Sequence, residues 1–111
     1  MIEKLVRKYL NDNMTVKAYM EKPHNPPEKR IEIERIGHTG SDFIYTTTLA
    51  IKSIASSLFF AAELNGEVEK VMEGIIALPE ITKVELSDSY NHTDTTKKEY
   101  RYQAIFEITH Y

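Results

Sequence analysis

The stretch from Phe43 to Ala55 constrains the fold of this chain more than any other segment. It is dense in β-branched and aromatic residues, with Thr46-Thr47-Thr48, Ile51 and Ile54 following Phe43 and Tyr45, and such residues fit a pleated, half-buried surface. Thirteen extended residues reach roughly 43 Å, which is long for a domain built from 111 residues. Either the strand bends or bulges, or one end projects beyond the core. Everything else in the chain has to pack around that element.

Upstream, Ile2, Leu5, Val6, Tyr9 and Leu10 recur at helical spacing, with Glu3, Lys4, Arg7 and Lys8 on the other side. This predicts an amphipathic helix. Asn11-Asp12-Asn13 ends it, since these side chains compete for backbone hydrogen bonds. Met14 to Met20 alternates as a strand would. Lys22-Pro23-His24-Asn25-Pro26-Pro27 is a loop, because three prolines remove three backbone donors. Arg30 to Ile36 resumes alternation, and Gly37-His38-Thr39-Gly40-Ser41-Asp42 reads as the next turn, with two glycines available for positive φ.

Beyond the long strand, Ser56 or Ser57 is placed to cap a second helix running to about Leu78, where Pro79 stops it. Its apolar stripe comprises Leu58, Ala61, Ala62, Val68, Val71, Met72, Ile75 and Ile76. Gly66 and Gly74 each cost about 1 kcal/mol against alanine inside a helix. Local fraying accounts for them simply; close approach of another backbone is the sharper account. Two strands follow, about Lys83–Tyr90 and Tyr100–His110, joined through the polar tip Asn91–Lys98. The order α-β-β-β-α-β-β, with short links, predicts a single α+β domain over residues 1–111: a largely antiparallel sheet of about five strands with two helices on one face.

Composition narrows function chiefly by exclusion. There is no cysteine, hence no disulfide framework, thiolate metal site or cysteine nucleophile. No apolar run approaches the ~20 residues of a membrane helix, and the N-terminus mixes charge with apolar residues from the start. These features predict a soluble intracellular protein that does not engage a membrane. The net charge of −3, with Lys and Arg interleaved among Glu, argues against a chain whose main task is gripping nucleic acid.

Candidate chemistry fails on spacing. Gly37-His38-Thr39-Gly40 lacks the phosphate-loop spacing and leads into a strand, not a helix. The four histidines, His24, His38, His92 and His110, fall in separate segments. His92 and Asp94 form the one local pair, two ligands where zinc takes three or four. No nucleophile elbow or Ser-x-x-Lys is present. Glu32/Glu34 and Glu67/Glu69 read as surface charges, and Tyr100, Tyr102 and Phe106 as core without the glycines of an RNA-binding sheet. The expectation is therefore no catalytic, metal or cofactor site. An open sheet with long strands and a long terminal hairpin, by contrast, leaves backbone groups that a monomer must shield and an assembling subunit can use.

Several blocks together resemble a known family. They are Lys22-Pro23, Pro26-Pro27-Glu28-Lys29-Arg30-Ile31-Glu32-Ile33-Glu34-Arg35, Asp42-Phe43-Ile44, Thr48-Leu49-Ala50-Ile51-Lys52-Ser53, Ala61-Ala62-Glu63-Leu64, Ser89-Tyr90-Asn91-His92-Thr93-Asp94 and Glu99-Tyr100-Arg101-Tyr102-Gln103-Ala104-Ile105-Phe106-Glu107-Ile108. In this order they resemble the small tail-terminator (tail-completion, minor tail) proteins of siphophages and prophages of Gram-positive bacteria. The resemblance rests on the number and order of the blocks, none of which is a catalytic signature. It implies a sheet with helices packed on it and a structural subunit of a hexameric ring. That ring would cap the tail tube, stop its growth and present a surface to the head-side connector, with DNA passing through the lumen. It further implies partners limited to the chain itself, the tube protein and the connector, in the host cytoplasm during assembly and then in the virion tail. Carried over as loops, the interface positions are Pro23, His24, Asn25, Pro26 and Pro27; His38 and Asp42; and His92, Asp94 and Lys97. A neighbouring connector or stopper protein is the near alternative, and a small-ligand regulatory module the distant one.

Overall fold

The computed structural model describes residues 1–97 and 99–111. Helix α1 spans Ile2–Asn13, strand β1 Ala18–Tyr19, β2 Arg30–Ser41, β3 Ile44–Ala55, helix α2 Leu58–Glu73, a 3-10 turn Gly74–Ala77, β4 Ile81–Asn91 and β5 Tyr100–His110. The five strands form one sheet in the order β1-β2-β3-β5-β4. All pairings are antiparallel except the short β1–β2 pair. This is the expected α+β class, with the expected element order.

The long strand, Ile44–Ala55, reaches about 36 Å at the strand rise in a molecule that measures 44 × 25 × 25 Å. It pairs with β5 without interruption from Tyr45↔His110 to Ala55↔Tyr100. The irregularities fall on its neighbours. In β2 the register shifts between Arg35 and Gly37, and in β4 it shifts twice. Register irregularities of this kind locally increase strand twist.

One face of the sheet carries Ile31, Ile33, Leu49, Ile51, Ala104, Phe106 and Ile108, and both helices bury their apolar stripes there: Ile2, Val6 and Leu10 from α1, Leu64, Val68 and Met72 from α2. The opposite face carries Glu32, Glu34, Lys52 and Glu107. Two-residue alternation in the strands and helical spacing in the helices thus converge on one core. Ser57 caps α2, its hydroxyl accepting from the Phe60 amide at 3.1 Å. The helix tightens into the 3-10 turn at Gly74, earlier than the expected end at Leu78. A Cβ at Gly74 would lie 2.7 Å from the Tyr9 hydroxyl, which donates to the Val71 carbonyl at 2.7 Å. Gly74 therefore admits a side chain from α1, whereas Gly66 faces open space.

Three local expectations need correction. The segment Met14–Met20 yields only a two-residue strand. There the Asn11 amide takes the place of a neighbouring strand, accepting from Ala18 N–H at 2.8 Å and donating to its carbonyl at 3.3 Å. The segment Gly37–Asp42 is not a turn: β2 continues through Ser41, and no glycine has positive φ. Gly40 is needed there because a Cβ would meet the Tyr45 ring at close range. The turn is instead Asp42-Phe43, with φ of 52° and 68°, joining Ser41 to Ile44. Two consecutive left-handed residues match the twist of a tight hairpin. In the expected second helix, finally, Leu58 of α2 and Ile76 of the 3-10 turn are exposed, while Leu64 joins the core.

Candidate interaction surfaces

The interface positions inferred from sequence separate to opposite ends of the sheet. β2 starts at Arg30 and ends at Ser41, about 36 Å later at the strand rise. At the Arg30 end lie the proline loop, with Asn25 at φ 54°, and the β4–β5 tip. At the other end lies Asp42.

Arg30 holds the first end together. It is 2 % exposed. Its guanidinium donates to Glu32 at 2.6 Å, to the Pro27 carbonyl at 3.1 Å and to Glu99 at 3.0 Å. One side chain thus fastens the proline loop, the start of β2 and the tip of the final hairpin. Burial favours a lower Arg30 pKa, but the hydrogen bonds and charges of Glu32 and Glu99 outweigh it, so the charged form is reinforced. Burial pushes the Glu99 carboxyl up, yet the bond and charge of Arg30, aided by Lys22 and Arg101, hold it below the usual carboxylate value.

Within the final hairpin, the His92 amide donates to the Arg101 carbonyl at 2.9 Å, the Arg101 guanidinium donates to the His92 carbonyl at 2.9 Å, and the His92 ring meets Tyr90 edge-on. Asp94 accepts from the Thr96 amide and hydroxyl at 3.0 and 2.6 Å, shaping the tip. The Lys97 amide donates to the Asp94 carbonyl at 3.3 Å. His92 and Asp94 thus serve turn structure. Among the described residues no group of three or more histidine, aspartate or glutamate side chains is placed to hold a metal. Nor, among the described residues, is any helix long and apolar enough to cross a membrane.

At the other end, His38 stands on the helix-facing side of β2. Its Nδ1 lies 2.8 Å from the Thr47 hydroxyl, which lies 2.8 Å from His110 Nε2. His110 Nδ1 is 3.1 Å from the Tyr111 carbonyl, which can only accept. The Thr47 hydroxyl, with one proton and two lone pairs, can bridge the two imidazole rings. Tyr45 stacks on His38 with ring centroids 5.4 Å apart. The chain of bonds braces the turn end of the β2–β3 hairpin.

Sequence reasoning missed exposed apolar groups at both ends of the long strands. Phe43, assigned to the long strand, sits at the hairpin tip with 85 % of its surface exposed. Leu58, Phe59 and Phe60 open α2 at the opposite end, Phe59 being 69 % exposed. A signal existed for the second group: three consecutive apolar residues cannot all share one helix face. The recesses of the surface lie beside α1 and β1. One of about 490 Å³ is lined by Arg7, Lys8, Lys17 and Tyr19 among others. A second of about 420 Å³ shares Arg7 and Tyr19 and reaches Pro23 and His24. Along the sides, β4 is an edge strand over its whole length, and β1 pairs with β2 only at Ile31 and Glu32.

Comparison with protein families finds no match to the chain, and comparison with curated proteins finds no relative.

Proposed function

We propose that the chain is a structural subunit, not an enzyme, and that copies of it form the ring that ends the tail tube of a long-tailed phage or prophage. The observation that carries this reading is the distribution of unfinished surface. The sheet has open strand edges along its sides, and exposed apolar groups at both ends of its long strands. A ring subunit needs both: lateral surfaces for its neighbours, and two axial surfaces for different partners. On this reading one end meets the tube protein and the other the head-side connector, while DNA passes through the lumen. The Phe43 tip and the end formed by the proline loop, Phe59 and the β4–β5 tip are the two axial surfaces. Exposed aromatic groups of this kind are the usual anchors of protein interfaces. Blocks resembling tail terminators cover most of the chain and support the same reading.

Deleting the gene from a phage genome provides the test. The expected result is tails of uncontrolled length that fail to join heads, corrected by supplying the chain in trans. Normal tail length after deletion would refute the proposal.

A further inference from the structure

The two sides of the sheet carry opposite charge. Residues 1–29, which form α1, β1 and the proline loop, hold six Lys and Arg against four Asp and Glu; residues 56–91, which form α2 and β4, hold two against seven. β1 and β4 are the two outermost strands, about 19 Å apart at the usual strand spacing. That separation exceeds the screening length of about 8 Å at physiological salt, so the two sides do little to neutralise each other within one molecule.

The groups are accessible. On the basic side, Arg7, Lys17 and Lys22 line the recesses beside β1 and have no carboxylate partner within 4 Å among the described residues. On the acidic side, the amide of Asn65 donates to both Glu69 and Ser89, which sets Glu69 of α2 beside β4. Glu85 and Asp88 lie on β4 itself, close to the exposed Leu86.

We propose that copies of this chain join side by side, the basic α1/β1 side of one against the acidic α2/β4 side of the next. This rests on the reading of the chain as a ring subunit. Strand directions suit it. β4 runs parallel to β3 and hence antiparallel to β2. Rotation about an axis along the strands preserves direction, so β4 of one copy meets the uncovered part of the next copy's β2 antiparallel. Contact between unlike surfaces is also the kind that closes rings. The charges and bulges on β4 deter pairing with arbitrary strands, and an opposite charge opposite them selects this partner.

Two charge-reversed chains test the proposal, one carrying E69K, E85K and D88K, the other R7E, K17E and K22E. All six positions lie outside the core, and circular dichroism checks that each variant folds. Association is followed by sedimentation velocity up to about 1 mM chain. The wild-type chain is expected to associate, more weakly as NaCl rises from about 0.05 to 0.5 M. Each variant alone should associate at least about tenfold more weakly. An equimolar mixture should regain association, because each reversed side then meets its complement. Damage to the fold cannot produce that recovery. A wild-type chain monomeric at the highest concentration, association indifferent to both reversals, or a mixture that stays weak would each overturn the proposal. So would binding of duplex DNA by the basic side, lost in R7E/K17E/K22E while chain association is untouched. Capping of tail tubes by chains whose association ignores these charges would refute the lateral contact and leave the ring reading intact. Charge-dependent association without any tube binding would do the reverse.

Discussion

Replacing Arg30 by methionine keeps the buried apolar stem and removes the guanidinium that three elements share. Glu32 and Glu99 then face each other without their cation. Breaking a buried ion pair from one side costs about 3–5 kcal/mol. Here the two carboxylates retain 17 % and 23 % side-chain exposure, so water relieves part of the penalty and the low end, about 3 kcal/mol, is expected. For a chain of 111 residues the unfolding entropy makes that a fall in Tm of about 13 °C. Glu99→Gln alone should cost about 1.5 kcal/mol, the value of one charged hydrogen bond. The double variant should cost less than the sum by about 1 kcal/mol, since neutralising Glu99 removes the repulsion that the first change exposes. Urea unfolding of the four chains measures the cycle. Strict additivity, or an Arg30→Met cost below about 1 kcal/mol, would refute the idea that this side chain ties the proline loop to the final hairpin.

Other expectations concern single groups. The Glu99 pKa is lowered in the folded chain, so its stabilisation is present above the ordinary carboxylate pKa and is lost as pH falls through the folded value; acid unfolding of Glu99→Gln should show a shallower loss below about pH 4.5. Thr47→Val removes the hydroxyl between His38 and His110 and should cost about 1–3 kcal/mol by calorimetry, because the buried His110 nitrogen loses its partner. Phe43→Gly relieves a bulky left-handed residue and should stabilise the isolated chain by about 1 kcal/mol, while weakening its binding to tail ends or connectors. Unchanged binding would remove Phe43 from the axial surfaces.

Much of the architecture was legible because each element obeys its own period. Ile2, Val6 and Leu10 mark α1, and Ala104, Phe106 and Ile108 mark β5, without reference to any partner. What sequence could not disclose depends on residues far apart. Gly37 and Gly40 look like turn residues, but both lie in β2, and Gly40 makes room for the Tyr45 ring across the hairpin. The strand expected over Met14–Met20 shrinks because Asn11 supplies the bonds a neighbouring strand would have supplied. Phe43 reads as strand by propensity and becomes the turn once Ser41 pairs with Ile44. The same limit applies to the interaction surfaces. The proline loop and the final hairpin are visible in the letters, but their union through Arg30 spans 69 residues. The separation of charge between the two sides emerges only when the strand order is known.

Purified tail tubes incubated with the chain and imaged by negative stain test the central claim most directly. Added density at one end of each tube, in a ring of repeated subunits, is the predicted result, and tubes capped in this way should no longer elongate when tube protein is supplied. Density at neither end, or scattered along the tube wall, together with unimpeded elongation, would contradict it.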